Sequence, residues 1–428
     1  MLKRIFQSGF WWPAKGVKPY AGAVVGAGPS LPLHARAGAL FFRTGDSTVY
    51  LSDGTSWTAL RGVAGSCPFR LSLSSTEPFP TTDQTAKSTI YQLPIGLGNE
   101  VGLYSSADGA WLPRTIPDAG VSVAVPSTLF RGFDVFDYWD GSAIALETAN
   151  WNQTTATITL ASAGAPCNIT TSAAHGFSVN DLIGFAGIVG TVGTDTNNGI
   201  NGKVFTISAT PLTTTFQLMG SDTTGLAYTS GGTAYKIPNT RTTALAFQNG
   251  RWTKSGDPTR LYAGSYMTHG TSGQTEDSVS KRLGWNYFNR RPVELYIRET
   301  EDYWTYSLAV HRPANNRIHN RVEFFRGLRE DAVDAALYAQ TFNDSGSSVE
   351  VAASIGLNRT DTQDSLLHGS YAGVYLVSNL AAFYKGQPAL GYSYLQWLEY
   401  SAAVPTTYWY GDTGVAFHKF GLAATVWC

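Results

Sequence analysis

Apolar and polar residues alternate with a period of two along most of this chain, in short runs broken by Asp-Gly, Asn-Gly or clusters of small polar residues. Such runs predict half-buried strands joined by tight turns. One unit recurs four times. Ala39-Leu40-Phe41-Phe42 leads into TVYLSDGTSWTAL, turning at Asp53-Gly54 with Trp57 beyond it. VGLYSSADGAWLPRTI repeats the scheme with Asp108-Gly109 and Trp111, and FDVFDYWDGSAIALE is a looser copy turning at Asp140-Gly141. In LAFQNGRWTKSG the turn is Asn249-Gly250, a dipeptide whose easy positive φ suits type I′, and Trp252 opens the return strand. These tryptophans read as staples for hairpins too small to be stable alone, with sugar-stacking platforms as the functional alternative.

From residue 292 onward the runs are longer and denser. VELYIRE, WTYSLAV, RVEFFRGL, SVEVAASIGL, GYSYLQWLEYSA, TTYWYG and LAATVWC are all strand-like, with Val349, Val351, Ala353 and Ile355 in clean alternation. Many strands of similar length suggest a jelly-roll-type sandwich, a different two-sheet sandwich remaining the alternative. Thr425, Val426 and Trp427 carry the last residues into the sheet, so additions there are expected to be poorly tolerated. One segment breaks the pattern. Thr275, Glu276 and Asp277 open a stretch in which Val279, Leu283 and Tyr287 recur at helical spacing, and Arg290-Arg291-Pro292 would close it. A helix is expected there.

Composition sharpens this all-β picture. Of 428 residues only 14% are charged while 13% are aromatic, and Thr, Ser, Gly, Tyr and Trp are abundant. The formal net charge of −1 gives no basic stripe for nucleic acid, and no apolar run approaches the ~20 residues that span a bilayer. Cys67, Cys167 and Cys428 form neither a zinc pattern nor a disulfide framework, which fits a reducing compartment. MLKRIFQSGFWWPAKG lacks the unbroken apolar core of a signal peptide. Its Phe6, Phe10, Trp11 and Trp12, followed by a Gly/Pro-rich stretch, cannot bury themselves well. Either they pack back onto the first hairpin or they form a docking peptide for another protein.

Candidate chemistry is thin. Acidic groups cluster at Glu276 and Asp277, at Glu299, Glu301 and Asp302, and at Glu330, Asp331 and Asp334. A glycosidase needs two carboxyls facing one sugar, but solvated turns and salt bridges to Arg282, Arg290, Arg291 and Arg298 are the expected outcome. HRPANNRIHNR, with His311 and His319 among arginines, reads as a polar loop between strands rather than a contact patch. His175 has no second ligand at metal spacing and is expected to be satisfied by backbone. No phosphate loop or nucleophile elbow is present, and neither catalytic residues nor a cofactor are expected.

The string NGRWTKSGDPTRLYAGSY, followed by GQTEDSVSKRLGWNYFNR, resembles a segment that recurs in tail-fibre and other virion structural proteins of tailed bacteriophages, where a β-rich C-terminal domain follows it. The resemblance covers roughly residues 85–156 and 239–428. Between them, His175-Gly176-Phe177, Asn201-Gly202, Thr215-Phe216 and Ser230-Gly231-Gly232-Thr233 resemble small β-barrel modules of phage virion proteins. Together with the residue patterns, this gives an N-terminal docking arm (1–38), a β-hairpin region (39–156), an inserted small β-barrel (157–238) and a C-terminal jelly-roll-like β-sandwich (239–428), the hairpin region continuing into the last. The resemblance implies a virion protein assembled in host cytoplasm, a tail fibre, spike or baseplate-peripheral component touching other virion proteins. A homotrimer is expected, with Trp397, Tyr400 and Trp409 as candidate subunit contacts. A host-glycan receptor-binding head is the alternative, and a polysaccharide hydrolase a third.

Overall fold

The computed structural model describes residues 25–28, 30, 39–43, 48–52, 55, 57–60, 67–96, 99–344, 346–368, 373, 375–402, 406–412 and 419–428. Phe6, Phe10, Trp11 and Trp12 lie outside them, as do Asp53 and Gly54. The chain divides into two compact units, one of residues 1–66 and 100–113 and one of 67–99 and 114–428.

In the smaller unit, Val25–Gly28 pairs in parallel with Leu40–Arg43, which continues antiparallel into Thr48–Ser52 and Trp57–Leu60. Trp57 meets Phe41 edge-on at 5.8 Å between centroids. In the neighbouring hairpin, Trp111 meets Tyr104 the same way at 5.4 Å. Both tryptophans are half-buried, as side chains stapling a thin ribbon must be.

The larger unit is β throughout apart from one short α-turn and one 3₁₀ turn among the described residues. Its first layer is a sheet in which Gly132–Trp139 pairs with Ile144–Asn150 on one side and with Asp257–Met267 on the other, followed by Arg251–Lys254 and Leu245–Gln248. Asn249 and Gly250 both adopt positive φ (51° and 82°), so the turn is type I′, and Phe247 faces Trp252 across it. Beside this sheet lies a three-stranded one, Val121–Ala124, Thr89–Pro94 and Phe69–Ser72.

Between the two halves of the first layer the chain closes a six-stranded barrel running from Thr155–Ala161 to Thr233–Lys236. Ile169, Ile183, Phe185, Phe205, Ile207, Phe216 and Leu218 fill it. Its two ends meet where Trp151 bridges Arg241 and Asn152 N donates to Thr240 O at 3.0 Å.

Two seven-stranded sheets form the sandwich. One is built on Gly391–Ser401, flanked by Arg321–Arg326 and Val351–Leu357; the other on Val333–Asn343, flanked by Val377–Gly386, Gly421–Trp427 and Thr407–Tyr410. Leu395, Trp397, Ile355 and Phe324 from the first meet Leu337, Leu380, Leu422 and Trp409 from the second in one core.

The helix expected from residue 275 is absent. Thr275–Asp277, Lys281–Arg282 and Gly284–Asn286 are strands, with Asp277 opposite Arg282. The helical spacing was fortuitous: Val279 is exposed, Leu283 joins the cluster around Trp151, and Tyr287 packs on the sandwich core. Glycine at 284 weakens a helix, and here its N–H reaches Asp277 Oδ1 at 2.9 Å.

Candidate functional site

The residues singled out from sequence do not converge. Trp397 and Trp409 are fully buried inside this chain's own core, Trp397 edge-on to Trp304 at 6.1 Å, so neither offers surface to a neighbouring subunit. Tyr400 is half-buried beside His311, ring centroids 5.2 Å apart. The error has a plain cause. Alternation in YLQWLEY shows that one face is special, but not whether its partner is the same chain.

The clustered acidic groups other than Asp302 are taken up by cations. Asp277 pairs with Arg282 (3.2 Å), Glu276 with Lys281 and His269 (3.7 and 3.6 Å), and Arg290 with both Glu330 and Asp331 (2.7 and 3.0 Å). Arg317, from the 311–321 loop, bridges Glu299 and Glu301 at 2.6 and 2.8 Å. Arg291 and Arg298 instead lie over the rings of Phe79 and Tyr296. In the same loop Arg312 donates to Glu399 Oε1 at 2.7 Å, while Trp304 Nε1 donates to Oε2 at 2.5 Å. Burial pushes the Glu399 carboxyl up to about 7, against the pull of Arg312. Asp134 is held by Arg241 (2.7 and 3.1 Å) and Ser265 (2.6 Å). Burial likewise raises Glu323, but the charges of Arg321 and Lys281 outweigh it and hold the group down at about 2. Asp134, Glu299, Glu323 and Glu399 are framework carboxylates, each accepting from a fixed arginine donor.

His175 sits in a turn of the barrel, its Nδ1 accepting from Phe177 N at 2.9 Å and its ring stacked on Phe177. No group of three or more His, Cys, Asp or Glu side chains that could hold a metal occurs among the described residues, and no described helix is long and apolar enough to cross a membrane.

What remains open is a face that sequence reading missed. On the strands Pro292–Ile297, Gly421–Trp427, Val333–Asn343 and Val377–Gly386, every second side chain points away from the core. Strand register aligns these outward residues in rows. Tyr296, Ala423, Ala336, Phe383 and Leu367 form one row across the sheet. Glu294, Thr425, Asp334 and Lys385 form the next, and Gly421, Tyr338 and Ala381 lie on its other side. Ala336 and Ala423 make a shallow floor beside Phe383, Leu366 and the charged row of Glu294, Asp334 and Lys385, leaving a groove of about 420 Å³. Tyr296, Tyr338 and Phe383 are 39%, 53% and 39% exposed, side by side on one face rather than scattered. Tyr338 stands edge-on to Phe383 (6.3 Å), and Lys385 reaches Asp334 at 3.1 Å. That ion pair is solvated and worth little in stability, so its groups are free to rearrange toward a ligand. Apolar ring surface beside a carboxylate, hydroxyl and ammonium row can hold something with one apolar face and a polar edge. The signal was legible in DAALYAQ, where Tyr338 shares its parity with Asp334 and Gln340.

No protein-family model and no curated protein matches this chain. Among solved structures, that of the Gx strain of infectious bursal disease virus is similar at 11% identity and a TM-score of 0.19, over 81% of this chain and 72% of that one. The VP2 subviral particle of infectious bursal disease virus is similar at 9% identity and a TM-score of 0.12, over 86% and 84%. Likenesses at these scores carry no argument about this chain.

Proposed function

We propose that the chain is a structural component of a virion, of the tail-fibre, spike or baseplate-peripheral kind, docking through its N-terminal arm and presenting the sandwich. The observation that carries the reading is the contrast between framework carboxylates held by arginine, such as Asp134 and Glu399, and one sheet face that leaves Tyr296, Tyr338 and Phe383 partly in water. The tail-fibre-like wording around Asn249 to Arg290 supports the particle, and three buried free cysteines suit assembly in a host cytoplasm. Within this reading the chain works as a homotrimer whose contacts lie elsewhere than Trp397 and Trp409. Imaging of intact particles with an antibody to the sandwich tests the role: labelling at the tail supports it, and purified particles without the chain overturn it. Light scattering tests the trimer, which a monomer at micromolar concentration would rule out.

The groove favours a second reading, that the head binds a host surface glycan. A pyranose has an apolar face for Phe383 and hydroxyl edges for Asp334, Glu294 and Lys385. On a glycan array, binding by the native chain that disappears in Phe383→Ala supports this; a blank array for the native chain removes it. The reading assigns no reaction, because the clustered carboxylates other than Asp302 are held by arginine and lysine. A shortened capsule or lipopolysaccharide product that depends on one of those carboxylates would reverse that assignment.

A further inference from the structure

The seam between the three-stranded sheet and the first layer contains a carboxyl group with no cation. Asp137, on Gly132–Trp139, and Gln92, on Thr89–Pro94, are both completely buried. Gln92 Nε2 donates to Asp137 Oδ2 at 2.8 Å. That single bond leaves two buried atoms without a partner, Asp137 Oδ1 and Gln92 Oε1, and both are acceptors. An ionised Asp137 would thus keep one oxygen bare beside a bare amide oxygen, a costly arrangement away from water. One proton removes both defects.

We infer that Asp137 is held protonated, its Oδ1–H donating to Gln92 Oε1 while Gln92 Nε2 donates back to Oδ2, so that acid and amide close a two-bond ring that locks the two sheets and opens as the pH rises. The surroundings agree. Opposite Asp137 on its two neighbouring strands stand Leu146 and Leu261, which carry no charge. The ionisable group whose titration feels Asp137 is Cys67, whose thiol burial pushes up to about 11 and so keeps neutral; beyond it Arg251 donates to Cys67 Sγ at 2.8 Å. Asp134, three residues earlier on the same strand, shows the contrast: both its oxygens receive donors, from Arg241 and Ser265. Burial pushes Asp137 up to about 8, with only the Gln92 hydrogen bond pulling down. A carboxyl raised in the folded state stabilises the fold fully below its ordinary value of 3.8, and that stabilisation is lost as the pH climbs through about 8.

The test is chemical denaturation of the full chain from pH 4 to pH 9, native against Asp137→Asn, whose amide keeps both bonds of the ring without a titratable proton. Each pH unit from about 4 to about 8 is expected to raise the native chain's unfolded-to-folded ratio about 10-fold relative to the variant, with the difference levelling off above about 8. A difference that stays flat across the window overturns the lock, as it would if a buried water bridged an ionised Asp137. Infrared spectra of the native chain, isotopically labelled at aspartate carboxyls, give a readout that needs no variant. A protonated aspartate band present at pH 7 and bleached above about 8 is expected; its absence at pH 7 overturns the proposal.

Discussion

The two sandwich sheets spend their outer faces in opposite ways. Gly391–Ser401 is buried on both sides: Leu395 and Trp397 enter the sandwich core, while Tyr392 and Tyr394 turn outward into a second cluster with Trp151 and Phe325. There the barrel lies against it. Tyr394 Oη meets Thr206 Oγ1 at 2.8 Å, and Arg321 Nη1 donates to Val204 O at 2.8 Å. Val333–Asn343 alternates buried and open along its whole length, and among the described residues nothing covers Tyr338. The comparison shows that aromatic density alone does not mark a contact site. Both faces carry tyrosines; only one leaves them in water.

Substitutions sharpen the contrast, the largest first. Trp397→Ala on the covered sheet empties a fully buried site and is expected to cost about 3–5 kcal/mol in denaturant unfolding. Glu323→Gln, beside Arg321, should be less stable than the native chain at pH 7. Because Glu323 is held down at about 2, its contribution is present above its ordinary 4.5 and fades as the pH falls through about 2, so the two unfolding curves should converge in acid. Tyr394→Phe deletes one buried hydroxyl contact, and Thr206 keeps its bond to Asn358 O; a loss of about 1 kcal/mol is expected. Phe383→Ala on the open sheet should change stability by no more than about 0.5 kcal/mol. A cost as large as that at Trp397 would mean the open face is structural after all.

Much of the fold was legible in local chemistry. Asn249-Gly250 announced its turn because only a few dipeptides accept two positive φ values, and the alternation at 349–355 announced its strand. The stretch from Thr275 misled because three apolar residues at helical spacing fit equally well into three different environments. Arg312 with Glu399 and Arg241 with Asp134 lie 87 and 107 residues apart, and nothing local pairs them. The groove fell between these cases. Its parity could be read from sequence, but the register that sets Tyr296, Ala423, Ala336 and Phe383 in one row belongs to the assembled sheet.

The position of the barrel inside the first layer also sets an order of events during synthesis. When Gly132–Trp139 leaves the ribosome, its partner Asp257–Met267 has yet to be made, whereas all six barrel strands emerge before that partner does. The barrel can therefore finish first and hold Trp151 near Arg241, shortening the loop the later strand must close. Slow pairing is thereby converted into local docking, and an unpaired aromatic edge spends less time exposed to its neighbours.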